Sequence, residues 1–185
     1  MTRALFLDRD GVINRDHGYV GRIDHFEFIP GIFELVRFAH DDLGWRVIVT
    51  TNQSGIGRGL FDEAAYQKLT DWMCERFRTE GAPLSAVYHC PYHPEYGLGD
   101  YKRDHPWRKP QPGMILQAAA DQDVDLAGSA LIGDGQRDME AGAAAGVGFL
   151  VRLDPEGRGE LAPRQAVVRD LAGALTLLRK TFMSA

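Results

Sequence analysis

Short apolar runs alternate along the chain with longer segments in which apolar residues recur every three or four positions. The runs "RALFL" (3–7), "RVIVT" (46–50), "SAVYHC" (85–90), "SALIG" (129–133) and "VGFLV" (147–151) are five or six residues long. Their length and near-continuous apolar character predict strands buried on both faces. In "GIFELVRFAHDDLG" the residues Ile32, Leu35, Val36, Ala39 and Leu43 keep helical spacing, with Pro30 just before and Gly44 at the end. "FDEAAYQKLTDWMCERFRTEG" predicts a helix with Asp62 as N-cap, Gly81 as stop and Ala65, Leu69, Trp72, Met73 and Phe77 inside. Pro112 opens a further helix in "PGMILQAAADQ", and "QRDMEAGAAAG" reads as a helix of small residues. The tail "VVRDLAGALTLLRKTF" is amphipathic, with Leu171, Leu175 and Leu178 on one face.

Strands alternating with helices predict an α/β fold: a parallel sheet flanked by helices, in one domain over residues 1–185. An irregular loop at 90–107, rich in proline, glycine, histidine and aromatics, interrupts the alternation. The 185 residues, 44% hydrophobic and 25% charged, suit a single domain with a sizeable core. A net charge of -5 argues against non-specific binding to nucleic acid. With two cysteines, Cys74 and Cys90, a disulfide framework is not expected, and Cys74 reads as a small buried apolar residue. No stretch is apolar for long enough to form a signal peptide or a membrane span, so a cytoplasmic protein without membrane partners is expected.

In parallel sheets of this kind ligands gather outside the carboxyl ends of the strands, where strand order reverses. The first strand ends in Asp8 and Asp10, which point the same way while the chain stays extended, and Gly11 then allows a sharp exit. The second ends in Thr50, Thr51 and Asn52, and the fourth in Gly133, Asp134 and Gly135, with Asp138 just after. A lone "DxD" at a strand end is often only the start of a polar loop. Joined by "TTNQSG" and "IGDGQRD" after the later strands, it predicts a site. Carboxylates in this number suit Mg²⁺, which shares its shell with a substrate phosphate and offsets their repulsion. Arg108 and Lys109 follow the irregular loop and precede a helix, within reach of an anion at the strand ends. The chemistry then assembles. Asp8 attacks phosphorus as nucleophile, and Asp10 moves the proton. Thr51 donates to a phosphoryl oxygen, and Lys109 neutralises charge.

At these residues the chain resembles the haloacid dehalogenase superfamily of phosphatases, whose four motifs are matched in order by "DRDGV", Thr51, Lys109 and "GDGQRD". Within it the chain is similar to the D-glycero-D-manno-heptose 1,7-bisphosphate phosphatases, through "FLDRDGVIN", "DHGYV", "FEFIPG", "TNQSGIGRG", "CPYHP" and "RKPQPGM". The resemblance implies a Rossmann-like domain with only small cap insertions, and a monomer. It implies hydrolysis of the 7-phosphate of a small sugar bisphosphate, on the route to nucleotide-activated heptose for surface polysaccharide. It implies Mg²⁺ on Asp8, the backbone carbonyl of Asp10, and Asp134. Substrate contacts are implied from Asp16, His17, Gly18 and Tyr19, from Thr51, Asn52, Gln53 and Ser54, and from Arg108 and Lys109.

Two departures stand out. Relatives commonly bind Zn²⁺ through a Cys-x-His pair and a Cys-x-Cys pair before "RKP"; here those positions hold Cys90, Tyr92, His105 and Trp107. Only Cys90 and His105 remain as ligands, so zinc is not expected and packing by Tyr92, Trp107 and the prolines is, with His89 and His93 as nearby substitutes. Gly135 stands where some relatives have a substrate-holding lysine. Histidinol-phosphate or broad sugar-phosphate hydrolysis is the alternative activity. A receiver-like phospho-acceptor is disfavoured by Asp10, for which a lasting phospho-aspartate has no use.

Overall fold

The computed structural model describes residues 1–158 and 164–183. Among the described residues, six strands form one parallel sheet: β1 (Ala4–Leu7), β2 (Arg46–Asn52), β3 (Ala86–Cys90), β4 (Ala130–Gly133), β5 (Phe149–Leu153) and β6 (Gln165–Val168). Their order is β3-β2-β1-β4-β5-β6, so the chain runs outward from β1 and returns to its other side. Leu7 is in register with Val49 of β2 and with Ile132 of β4.

The period-two alternation of side chains divides the core. Leu5, Leu7, Val47 and Val49 join one buried cluster, whereas Ala4, Phe6 and Ile48 join another. The first cluster is covered by α1 (Ile32–Arg37), α3 (Glu63–Thr79) and α6 (Leu171–Phe182). The second is covered by α4 (Gly113–Gln122) and α5 (Gln136–Ala145), whose small residues Ala118, Ala141 and Ala145 let the helices lie close on the sheet. A four-residue helix, α2 (Ser54–Gly57), follows β2 directly.

Several predicted elements are changed in detail. The first helix is regular only to Arg37; a widened turn over Phe38–Asp42 then brings Phe38 inward with Ala39. Asp62 caps α3 by accepting from the Ala65 amide at 2.7 Å, as expected. The inner face of α3 adds Tyr66 and Thr70, while Ala65 and Trp72 are only half-buried. Cys74 is likewise half-buried and Cys90 buried, both as free thiols. The fifth strand starts two residues later than its pattern suggested. Val167 and Val168, read as the start of the last helix, belong to β6 instead, which pairs with β5. The helix begins at Leu171, after Asp170 accepts from the Gly173 amide at 2.8 Å. That cap supplies a stop between strand and helix that apolar spacing alone does not mark.

Phe77, fully buried, lies 5.8 Å from the Phe28 ring and 5.0 Å from that of Phe33. Phe77→Ala is expected to cost about 3–5 kcal/mol in stability, because the surrounding rings cannot collapse into the space left. Urea unfolding followed by circular dichroism measures this. A loss below about 1 kcal/mol would show that the site repacks freely.

Candidate active site

The carboxyl ends of β1, β2 and β4 open into a cavity of about 430 Å³. It lies where the sheet order reverses on either side of β1, the crevice that parallel sheets offer to ligands. Lining it are Asp8, Asp10, Asp16, Gly18, Tyr19, Thr51, Asn52, Gln53, Ser54, Arg108, Lys109 and Asp134, which the sequence singled out. His17 is set apart: its Nε2 lies 3.5 Å from Glu27 on the surface, and it borders a neighbouring hollow.

Asp8 and Asp10 are two residues apart but differ in surroundings. Beyond Asp8 the chain stops being extended. The Arg9 carbonyl accepts from the Ile13 amide at 2.8 Å, and Gly11 takes a left-handed φ of 85°. A Cβ at Gly11 would collide with the Asp134 carboxylate, so only glycine lets the β1 and β4 loops meet here. Asp8 faces Lys109, whose Nζ is 3.1 Å from its Oδ1. Asp10 turns to three donors instead: Arg9 Nη2 at 3.0 and 3.1 Å, Asn14 Nδ2 at 2.9 Å and Gln53 Nε2 at 2.8 Å.

Lys109 is almost wholly buried. Its Nζ also pairs with Asp138 at 2.5 Å and donates to the Thr50 carbonyl at 2.9 Å. Asn52 clips the Lys109 backbone to the end of β2. Its Oδ1 accepts from the Lys109 amide and its Nδ2 donates to the Lys109 carbonyl, both at 3.0 Å. Gln53 Nε2 donates to Thr51 Oγ1 at 2.9 Å, which leaves the threonine hydroxyl proton for another acceptor.

These contacts set the electrostatics. Burial pushes the Asp8 carboxyl up to about 7; Lys109 opposes this, and Asp138, Asp134 and Asp10 add to it. Desolvation within the cavity, then Asp138, raises Asp134 to about 6. Desolvation works against the Lys109 charge, but Asp8 and Asp138 outweigh it and hold the ammonium above its usual range. Carboxylate oxygens of Asp8, Asp134 and Asp138 lie within 4.8 Å of one another. Three hard oxygen donors around one point fit Mg²⁺. Desolvation, with repulsion from neighbouring carboxylates added, raises the Asp8 and Asp134 carboxyls, and such an ion would favour their ionised forms.

The sequence places Asp138 just beyond the end of the fourth strand but assigns it no role. Its position three residues into the turn after "GDG" was the available signal, because a side chain there folds back on the loop. Asp138 Oδ2 indeed accepts from the Gly135 amide at 3.0 Å. Arg9 is a further residue of the site that the sequence does not mark. It is fully buried between the Phe26 and Tyr66 rings, 5.9 and 6.0 Å from its guanidinium carbon, and its Nη2 also donates to the Val20 carbonyl at 2.6 Å. Gly135, noted for the lysine it replaces, and His93, noted only as a substitute zinc ligand, also line the cavity, as do Gly55 and Arg137, which carry no individual sequence signal.

A family model described as HAD-hydrolase-like matches residues 106–174. The chain is 53% identical over 170 residues to the D-glycero-alpha-D-manno-heptose-1,7-bisphosphate 7-phosphatase of Burkholderia mallei, covering 91% of this chain and 89% of that one. It is 48% identical over 151 residues to the D-glycero-beta-D-manno-heptose-1,7-bisphosphate 7-phosphatase of Vibrio cholerae, covering 80% and 81% respectively. Among solved structures, the D,D-heptose 1,7-bisphosphate phosphatase from B. bronchiseptica, complexed with magnesium and phosphate, superimposes with a TM-score of 0.82. It is 33% identical and the match covers 96% of this chain and 98% of that one.

Because Asp8 and Asp134 hold protons up to about 7 and 6, Mg²⁺ must displace them to bind at lower pH. The apparent Mg²⁺ affinity is therefore expected to fall between pH 8 and pH 5.5, by roughly tenfold per pH unit for each proton released. Calorimetric Mg²⁺ titrations at constant ionic strength measure it. A flat affinity over that range would mean that both carboxyls are already ionised without metal.

Proposed function

The chain belongs to the haloacid dehalogenase superfamily of phosphatases, in the group of the heptose 1,7-bisphosphate 7-phosphatases, and we propose that it hydrolyses the 7-phosphate of D-glycero-D-manno-heptose 1,7-bisphosphate with Mg²⁺. It is a phosphoric monoester hydrolase. In this reading it serves the route to nucleotide-activated heptose. The carrying observation is the meeting of Asp8, Asp10, Thr51, Lys109 and Asp134 in one cavity, with Asp8 paired to Lys109 at 3.1 Å.

In the first step an Asp8 oxygen attacks phosphorus, the bond to the sugar oxygen breaks, and Asp10 gives that oxygen a proton. In the second, water attacks the aspartyl-phosphate, Asp10 takes its proton, and inorganic phosphate leaves with Asp8 restored. Three fixed donors hold the Asp10 side chain in one orientation through both steps. The Lys109 ammonium and the Thr51 hydroxyl stabilise charge on the transferring oxygens. Asp8, Asp134 and the Asp10 backbone carbonyl would hold Mg²⁺, with Asp138 beside them, and the bound ion would neutralise further phosphoryl charge. Arg108, Asp16, Gly18 and Tyr19 and the residues from Asn52 to Ser54 would receive the rest of the sugar bisphosphate. Phosphate release from the α- and β-heptose 1,7-bisphosphates, fructose 1,6-bisphosphate and histidinol phosphate tests the reading. Preference for either of the last two would overturn it.

Asp10→Asn is expected to slow sugar-phosphate turnover by about 10²–10⁴-fold, because a sugar alkoxide leaves poorly without a proton. An activated aryl phosphate should suffer much less. Equal losses on both substrates would remove Asp10 from the proton-transfer role.

The loop at 90–107 keeps its shape without zinc in this reading. Support comes from its rings: His105 stacks on Tyr92 at 4.4 Å, and Tyr92 lies 5.8 Å from Tyr101. The substitute ligands are engaged elsewhere. His89 Nε2 is 3.1 Å from Glu63, and His93 Nδ1 accepts from the Glu95 and Tyr96 amides at 3.2 Å. Elemental analysis of protein purified without chelator should find far less than one zinc per chain. A full equivalent, lost in Cys90→Ser, would refute this.

A further inference from the structure

Two loops flank the mouth of the cavity. Residues 16–20 contribute Asp16, Gly18 and Tyr19, and residues 91–101 contribute His93. α2 lies against both, and its glycines make that possible. A Cβ at Gly55 would run into the Phe61 ring and come within 3.2 Å of Tyr19 Cδ1. One at Gly57 would strike the Pro91 carbonyl and come within 2.9 Å of Tyr101 Cβ. The Leu98 amide also donates to the Gly57 carbonyl at 2.7 Å.

Arg58 follows at the C-terminal cap of α2, anchored by its amide to the Ser54 carbonyl at 2.9 Å. Its guanidinium carbon is 4.9 Å from the centre of the Tyr19 ring and 5.0 Å from that of Tyr96. Its Nη1 also donates to the Tyr19 hydroxyl. Both contacts bear on cavity residues. Tyr19 has a left-handed φ of 53°, which a residue with a bulky side chain adopts only when its surroundings hold it there. The Tyr96 ring packs on His93 at 4.8 Å.

We propose that Arg58 is a positioning residue. Its guanidinium joins the Tyr19 loop to the Tyr96 loop across the cavity mouth, and so shapes the subsite for the part of the substrate beyond the transferred phosphate. The identity of that substrate rests on the function proposed above; the clasp itself does not. A planar cation between two rings also differs from a mere positive charge at the mouth. Lysine would keep the charge and lose the flat face and the fork.

The test compares wild type, Arg58→Lys, Arg58→Ala, Tyr96→Leu and the Arg58→Ala/Tyr96→Leu double variant. Each is assayed on heptose 1,7-bisphosphate and on acetyl phosphate, which is too small to use the mouth. Arg58→Ala should raise KM for the bisphosphate about tenfold with kcat within about twofold, and leave acetyl phosphate turnover within about twofold. Arg58→Lys should lose nearly as much, and the double variant no more than the worse single one. Wild-type KM in Arg58→Lys would overturn the clasp, as would additive losses or an equal loss on acetyl phosphate. Hydrogen exchange on the free proteins gives a readout independent of substrate. Amides of both loops should exchange faster in Arg58→Ala while those of β1 and β2 do not change, and unchanged loops would overturn the proposal. Wild type that cleaves acetyl phosphate but not the heptose bisphosphate would refute the substrate alone. The kinetic set would then be run on the preferred sugar phosphate.

Discussion

The Lys109 ammonium sits 3.1 Å from the Asp8 carboxylate and 2.5 Å from that of Asp138, and donates to the Thr50 carbonyl at 2.9 Å. One buried cation thus ties the ends of β1 and β2 to the first turn of α5. Without it, acidic groups from β1, β4 and α5 would face one another in a desolvated space. The Asp8 and Asp134 carboxyls stay raised beside this cation, chiefly because they are desolvated and in part because neighbouring carboxylates repel them. Burying Lys109 is tolerable only because its charge is paired and its hydrogen bonds are made. The Asn52 clip fixes its backbone, so the irregular loop must deliver Lys109 at one place on β2.

A second constraint separates two like residues. Asp8 and Asp10 share one motif and one cavity, yet a lysine from a distant loop meets the first, while Arg9, Asn14 and Gln53 hold the second. The tight turn at Arg9–Asn14 makes the difference, because it breaks the extended geometry that would set the two carboxylates side by side. Nucleophilic attack and proton transfer ask for such unlike surroundings. Arg9 carries this division into the fold, since its Nη2 also reaches the Val20 carbonyl and so links Asp10 to the base of the 16–20 loop.

The cavity floor and its mouth are built differently. The floor is made of strand ends locked by a buried ion pair, and it suits a phosphoryl group common to many substrates. The mouth consists of loops set around the glycines of α2, with exposed aromatics such as Tyr19 and Tyr96. In a sheet of this kind such loops can vary without disturbing the strand ends, so they are the natural seat of specificity.

The sequence by itself determined the alternating α/β plan, five of the six strands, and the strand ends at which Asp8, Asp10, Thr51 and Asp134 stand. Those features follow from local periodicity and from the side-chain types that strand ends must carry. It missed β6, because the short "QAVV" (165–168) becomes a strand only when β5 offers its edge. It assigned Asp138 no role and marked neither Arg9 nor Arg58, because the distant partners of all three, Lys109 for Asp138 among them, are not paired with them by local spacing. Arg9 spans 11 residues to Val20, Arg58 spans 39 to Tyr19, and Lys109 spans 59 to Thr50. Hydrophobic patterning reports which face of an element is buried. Which charge meets which carboxylate depends on how the elements are brought together, and only the tertiary structure decided that.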